Sequence, residues 1–247
     1  MITEAKRSLY LQYFLGRVAV FITGPLILLA MKLAGYRIRE LKEVRRTVQK
    51  LLDAHRGPWL ICANHLTLID SVILTFGMLP VHRYMFRYDL LPWNLPEKMN
   101  FYRSKAVRIA CYLTKCIPVV RGGDRDEVRL TLERCDHLLR KGENLMIFPE
   151  GTRSRTGRVN ATDFPYGVGR LICSTPGVRV MCIYLRGDGQ TTYSDFPRHN
   201  ETFGLRVTEC RPKTGLKGLR AHRECTRQVI DHLAKMEKDY FDGTLHS

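Results

Sequence analysis

"WLICANHLTLIDSVIL", Trp59 to Leu74, sets the fold of this chain, because an apolar run passes through a polar turn into a second apolar run. Trp59 to Ala63 reads as a strand buried on both faces. Asn64, His65 and Thr67 interrupt it, and the residues that follow are spaced as on a helix. A buried strand feeding a helix is a unit of α/β architecture. The same sixteen residues hold His65 and Asp70 five positions apart.

Within one helix an offset of five rotates about 140°, so the two side chains would not share a face. They meet only if His65 precedes the helix. Thr67 as the N-cap, with Asp70 at the third helical position, supplies that arrangement. Asp70 would then accept from one ring nitrogen and leave the other as a base. The stretch reads equally well as an ordinary polar loop followed by a carboxylate that interacts favourably with the helix dipole. There is no G-x-S-x-G elbow, and no serine or cysteine is marked as a nucleophile. If His65 is a base, the hydroxyl it deprotonates belongs to a substrate.

Outward from this unit, short apolar runs alternate with longer amphipathic ones. Strands are expected at Trp59 to Ala63, His82 to Phe86, Ile117 to Val120, Leu145 to Phe148, Val180 to Leu185 and Leu205 to Thr208. A helix is expected from an N-cap at Asp124, with Glu127 three residues on and Val128, Leu132, Cys135 and Leu139 along one face. A closing amphipathic helix is expected from about Leu219 to Phe241. The expected fold is α/β, a single domain over residues 58–247 with a mixed, mostly parallel sheet covered by helices. A hydrophobic, membrane-binding helical segment, residues 1–57, precedes it.

In that segment Val18 to Met31 is 14 residues without a charge, interrupted by Gly24-Pro25. This is shorter than the roughly 20 residues that span a bilayer. An interfacial or re-entrant helix pair fits best, with a tilted span, a retained signal-like segment and a buried core helix as the other readings. Residues 32–50 carry seven basic side chains against Glu40 and Glu43, which places them against an anionic leaflet on the cytoplasmic face.

The whole chain has 40 Lys+Arg against 24 Asp+Glu, a net charge of +16 over 247 residues, and this favours anionic partners. No nucleic-acid recognition module or aromatic platform accompanies the charge, so nucleic acid is not an expected partner. Eight cysteines at irregular spacing, without a C-x-x-C pair, read as buried thiols of a reducing compartment and not as zinc ligands or disulfides.

The second informative stretch is "NLMIFPEGTRSRTGR", Asn144 to Arg158. A short strand ends in a Pro-Glu-Gly turn and an arginine cluster, with Gly151 permitting close backbone approach and Arg153 offering a fork for phosphate oxygens. A solvated basic loop is the alternative reading. Together, Asn64-His65-x-x-x-x-Asp70 and Phe148-Pro149-Glu150-Gly151-Thr152-Arg153-Ser154 resemble the glycerolipid acyltransferases typified by the bacterial 1-acyl-sn-glycerol-3-phosphate acyltransferases. The resemblance spans about Pro58 to Gly187.

It implies a membrane-associated enzyme in which His65, oriented by Asp70, takes the proton of an acceptor hydroxyl as that oxygen attacks an acyl thioester. Glu150, Gly151, Thr152 and Arg153 match the element associated with acceptor binding, and Arg121 matches the arginine of another element. Lysophosphatidate is the implied acceptor, with acyl-CoA or an acyl carrier protein as co-substrate and no metal or redox cofactor. Other lyso-lipids, glycerol phosphate and a non-catalytic basic membrane-binding protein are the alternatives. The chain departs from the family pattern at Lys115 to Arg121, which lacks the usual glycine and aromatic. It departs again at Cys182, where a proline is usual, and at Phe164-Pro165-Tyr166-Gly167. The excursion Arg87 to Lys105 reads either as a channel wall or as surface.

Overall fold

The computed structural model describes residues 2–101, 104–120 and 124–244. In chain order these form α1 (Ile2–Leu33), β1 (Arg37–Ile38), α2 (Leu41–Ala54), β2 (Trp59–Ala63), α3 (Asp70–Met78) and α4 (Val81–Phe86). There follow β3 (Trp93–Asn94), α5 (Lys98–Phe101), α6 (Lys105–Leu113), α7 (Arg125–Arg140), β4 (Leu145–Ile147) and α8 (Gly167–Ser174). β5 (Arg179–Gly187), β6 (Thr202–Cys210) and α9 (Gly218–Thr244) complete the chain.

The sheet runs β1-β6-β5-β2-β4-β3, and every pairing is parallel except β5 with β6. Both faces of β2 are covered, which is why its sequence is apolar at every position. Trp59, Ile61 and Ala63 face a core built with α2, α3 and α4. Leu60 and Cys62 face a second core with Cys135 and Leu139 of α7, Leu171 of α8 and Val229 and Leu233 of α9. The fold is thus a single α/β domain, with helices layered on both faces of a mixed sheet. Cys182 keeps its place in the β5 ladder, paired with Cys62 on one side and Thr208 on the other, where a proline would remove a donor.

Three local expectations are corrected. His82 to Phe86 lies in α4 and not in a strand; Pro80 sets its start, Arg83 N–H closes the first turn on the Pro80 carbonyl, and only Tyr84 is buried. Ile117 to Val120 forms no strand, because Pro118 interrupts the ladder and leaves only single bridges, Asn94 to Cys116 and Glu97 to Val119. Gly24-Pro25 does not split the N-terminal segment, which is one helix. Gly24 is there for close packing: a Cβ would lie 2.8 Å from Val81 Cγ1, and one at Gly16 would lie 2.8 Å from the Leu113 carbonyl. Gln12 ties the same face down by donating to the carbonyls of Tyr112 and Cys116.

The segment before Pro58 also builds the edge of the sheet, where Arg37 and Ile38 register with Thr202 and Phe203. Val44 and Val48 of α2 enter the core.

Lys115, which stands where the glycine of the family pattern is absent, adopts φ +55°. Its side chain is fully buried, and Nζ donates to the carbonyls of Tyr88 and Leu91 and to Glu143 Oε2 at 2.7 Å. The rings of Tyr13, Tyr88 and Trp93 surround it. Burial holds the pKa of this ammonium below its ordinary value, and Glu143 opposes that shift.

Candidate active site

The site forms where β2 ends. Asn64 continues the strand with its side chain: Oδ1 accepts the Leu185 N–H at 2.7 Å and Nδ2 donates to the Leu185 carbonyl at 2.9 Å. This anchors the chain to β5 just before it turns. His65 therefore leaves the sheet at a fixed point.

The turn folds around Asp70, the first residue of α3. Its Oδ2 accepts the Leu66 and Thr67 N–H groups at 2.6 and 2.8 Å and faces His65 Nδ1 at 3.0 Å. The Thr67 hydroxyl donates to Oδ1. The expected cap is thus reversed: Thr67 is a donor to Asp70, and Asp70 opens the helix instead of sitting at its third position. Two amide donors on Oδ2 make it an acceptor, so the ring nitrogen facing it is the N–H, and Nε2 carries the lone pair. Among the described residues no hydrogen bond reaches Nε2.

His65 is 7% exposed, and its ring stacks on Phe148 at 4.1 Å between centroids and 15° between planes. The second motif holds this ring from behind. The His65 N–H donates to Glu150 Oε1 at 3.0 Å, and the His65 carbonyl accepts the Ser154 N–H at 2.8 Å. Glu150 Oε2 takes the Asn160 N–H, also at 3.0 Å. Burial raises the Glu150 pKa to about 7 against the two amide donors, which favour its anion. Both oxygens of this carboxylate are thus bonded to backbone, joining the histidine turn to residues 150–160.

Gly151 takes φ +73°, and a Cβ there would lie 2.7 Å from Pro165 Cγ. Arg153 Nη1 donates to the Ser194 carbonyl at 2.9 Å and to Asp195 Oδ1 at 2.6 Å. Arg121 lies outside the described residues.

Two cavities flank Phe148. The first, about 330 Å³, contains His65 and Arg153 and runs between α1, α3, α4 and α6 past Ile27, Val72, Tyr84 and Ala110. Leu95, Pro96, Asn100 and Phe101 also line it, so the Arg87 to Lys105 excursion is a wall of this cavity. The second, about 590 Å³, shares Leu95 and Phe148 and is bounded by Glu150, Gly151, Thr152 and α7. The chemistry available at the first cavity is proton abstraction in an apolar space beside a cation.

Sequence reasoning missed Phe148 as the platform of the histidine and missed the 192–196 segment. That segment pairs its Ser194 N–H with the Leu66 carbonyl and its Asp195 carbonyl with the Leu68 N–H. The hydroxyl of Thr192 donates to the Arg155 carbonyl. No local pattern announces these long-range bonds.

A family model described as Acyltransferase matches residues 37–186, which include His65, Asp70 and residues 150–153. A chloroplastic 1-acyl-sn-glycerol-3-phosphate acyltransferase of Brassica napus is 39% identical over 141 residues, 56% of this chain. A chloroplastic 1-acyl-sn-glycerol-3-phosphate acyltransferase of Arabidopsis thaliana is 40% identical over 74 residues, 30% of this chain. The matched stretches span 36% and 20% of those two relatives.

Proposed function

The chain belongs to the acyltransferase family, and on that premise we propose that it moves a fatty acyl chain from an acyl thioester to the sn-2 hydroxyl of lysophosphatidate. The donor is acyl-CoA or an acyl carrier protein, and the product is phosphatidate. The observation that carries this reading is the pair of groups on one apolar cavity: the His65 ring, with Nδ1 committed to Asp70, and the Arg153 guanidinium. Both relatives are 1-acyl-sn-glycerol-3-phosphate acyltransferases, which supports the same acceptor here.

In this mechanism the acceptor hydroxyl sits at Nε2 of His65. Its oxygen attacks the thioester carbonyl as the ring takes the proton, so no acyl-enzyme forms. The C–O bond forms, the C–S bond breaks, and the imidazolium returns its proton to the departing thiolate. Asp70 stabilises the transient cation. Arg153 draws the acceptor phosphate to the cavity mouth, and Arg121 is assigned to the same phosphate, while Gly151 and Thr152 line the neighbouring cavity across Phe148. Holding both reactants in one cavity supplies the remaining advantage through proximity. Glu150 positions the histidine turn through its two amide bonds.

The membrane supplies the lipid. α1 presents Phe14, Val18, Ile22, Leu26 and Leu33 to the outside, while Gln12, Gly16 and Gly24 dock its other face on the body. Only 17% of its most apolar window is buried within the protein. The reading is a helix embedded in the leaflet beside the cavity, on the cytoplasmic face. Eight free thiols and the basic residues 32–50 favour that compartment.

The test is transfer from labelled acyl-CoA and acyl carrier protein to lysophosphatidate, a lyso-ornithine lipid and glycerol phosphate in detergent micelles. The highest kcat/KM is expected for lysophosphatidate. A preference for either other acceptor overturns the assignment, and inactivity with every pair overturns the enzyme reading.

A further inference from the structure

The guanidinium of Arg153 is held in an ordered way. One nitrogen, Nη1, donates to both the Ser194 carbonyl at 2.9 Å and Asp195 Oδ1 at 2.6 Å. The Tyr193 ring lies 5.5 Å from the guanidinium carbon. Among the described residues Nε and Nη2 of Arg153 take part in no hydrogen bond or ion pair. An arginine side chain is flexible, and its affinity for a phosphate depends on presenting two parallel N–H groups at one edge. Fixing Nη1 from behind leaves the Nε and Nη2 edge for that purpose.

Asp195 is suited to this task because its backbone is secured independently of its side chain. The Asp195 carbonyl accepts the Leu68 N–H at 3.1 Å, and the Ser194 N–H donates to the Leu66 carbonyl at 3.0 Å. The segment that carries Asp195 is therefore bonded to the turn that carries His65, and it fixes the arginine relative to the histidine. The Asp195 side chain is 69% exposed, so water screens it from a phosphate arriving on the other edge. Asp195 also lies beyond residues 37–186, the part matched by the family model.

We propose that Asp195 is a positioning residue for acceptor selection: with the Ser194 carbonyl it orients Arg153 so that its free edge takes the phosphomonoester of the acceptor. This rests on the lysophosphatidate reading. Because the carboxylate acts through a hydrogen bond to Nη1, the amide oxygen of an asparagine replaces it, whereas alanine does not.

The experiment measures equilibrium binding of lysophosphatidate and of a monoacylglycerol of the same chain length to the full-length protein in micelles. Wild type is compared with Asp195→Ala, Asp195→Asn, Arg153→Ala and the Asp195→Ala/Arg153→Ala double variant, with thermal unfolding as the control for folding. Loss of one charge-assisted bond predicts about ten-fold weaker lysophosphatidate binding in Asp195→Ala. Monoacylglycerol binding should stay at the wild-type level, Asp195→Asn should recover most of the loss, and the double variant should bind no worse than Arg153→Ala. In turnover Asp195→Ala should raise the acceptor KM by a larger factor than it lowers kcat, and Asp195→Asn should restore KM towards the wild-type value.

Unchanged or tighter lysophosphatidate binding in Asp195→Ala overturns the proposal, as does equal weakening of both ligands. If Arg153→Ala weakens binding and Asp195→Ala does not, the proposal alone fails. If wild type does not prefer lysophosphatidate to monoacylglycerol, the parent reading fails and the proposal falls with it.

Discussion

Two pairs of a buried nitrogen group and a carboxylate lie beside this sheet, and they differ in what the nitrogen group has left over. Lys115 and Glu143 meet at 2.7 Å, and the three donors of the ammonium are matched by Tyr88, Leu91 and Glu143. His65 and Asp70 meet at 3.0 Å, but the second ring nitrogen is left without a partner among the described residues, in a ring that lines a cavity. The saturated pair has only a structural contribution to make, because any substrate would have to displace a bond. The unsaturated pair holds a lone pair in place. Burial is common to both, so burial alone does not mark a reactive group; an unmatched valence beside a space does.

The largest expected effect breaks the second pair. In Asp70→Asn the amide oxygen that must still satisfy the Leu66 and Thr67 N–H groups also faces Nδ1, so the ring keeps an acceptor but loses the negative charge that stabilises the imidazolium. Transfer should fall by about 10²- to 10⁴-fold, the usual range for losing general base catalysis, with KM values little changed. Steady-state kinetics check this.

Breaking the first pair should act on stability instead. Lys115→Met strips Glu143 of its buried counter-charge and is expected to cost about 3–5 kcal/mol in chemical denaturation, as for other buried pairs that lose one partner. Transfer per folded molecule should remain at the wild-type level. A variant that folds normally and loses catalysis would show that the two pairs do not differ in role.

Glu150→Gln reads the buried carboxyl through pH. The amide can accept only one of the two N–H groups now bonded to the carboxylate, a loss of about 1–3 kcal/mol. The folded carboxyl has its pKa raised from 4.5 to about 7. A raised pKa means that the folded state binds the proton more tightly, so the stability it confers is complete below 4.5 and is lost as pH rises through about 7. Glutamine has no such dependence. The stability gap between wild type and variant should therefore narrow between acidic and mildly alkaline pH, measured by denaturation at each pH; a gap that widens would contradict the assigned burial.

The smallest effect concerns the backbone at the same loop. Gly151→Ala places a Cβ in the left-handed region and against Pro165, and should cost about 1–3 kcal/mol in the same denaturation measurement.

Much of this frame is legible from residues alone where a signal is continuous. β2, β4 and β5 are largely apolar runs, β6 alternates Leu205 and Val207 with Arg206 and Thr208, and α7 follows Asp124, which accepts the Asp126 N–H as an N-cap should. β1 and β3 are two residues each and are set by their partners, so no periodicity announces them. The five-residue run of His82 to Phe86 is too short to separate a strand from a helix, and Pro80 decides it. The spacing of His65 and Asp70 permits their pairing without deciding it, and the turn that brings them together is built on Asp70 as acceptor and not on Thr67 as cap. The hold on Arg153 comes from a residue 42 positions away and leaves no local trace.

The role of His65 is tested by single-turnover transfer from a labelled acyl thioester to lysophosphatidate by purified His65→Ala, with its thermal unfolding shown to match wild type. General base catalysis by His65 requires a fall of about 10²- to 10⁴-fold in the transfer rate with acceptor binding retained. Transfer at the wild-type rate by a folded His65→Ala protein would contradict it.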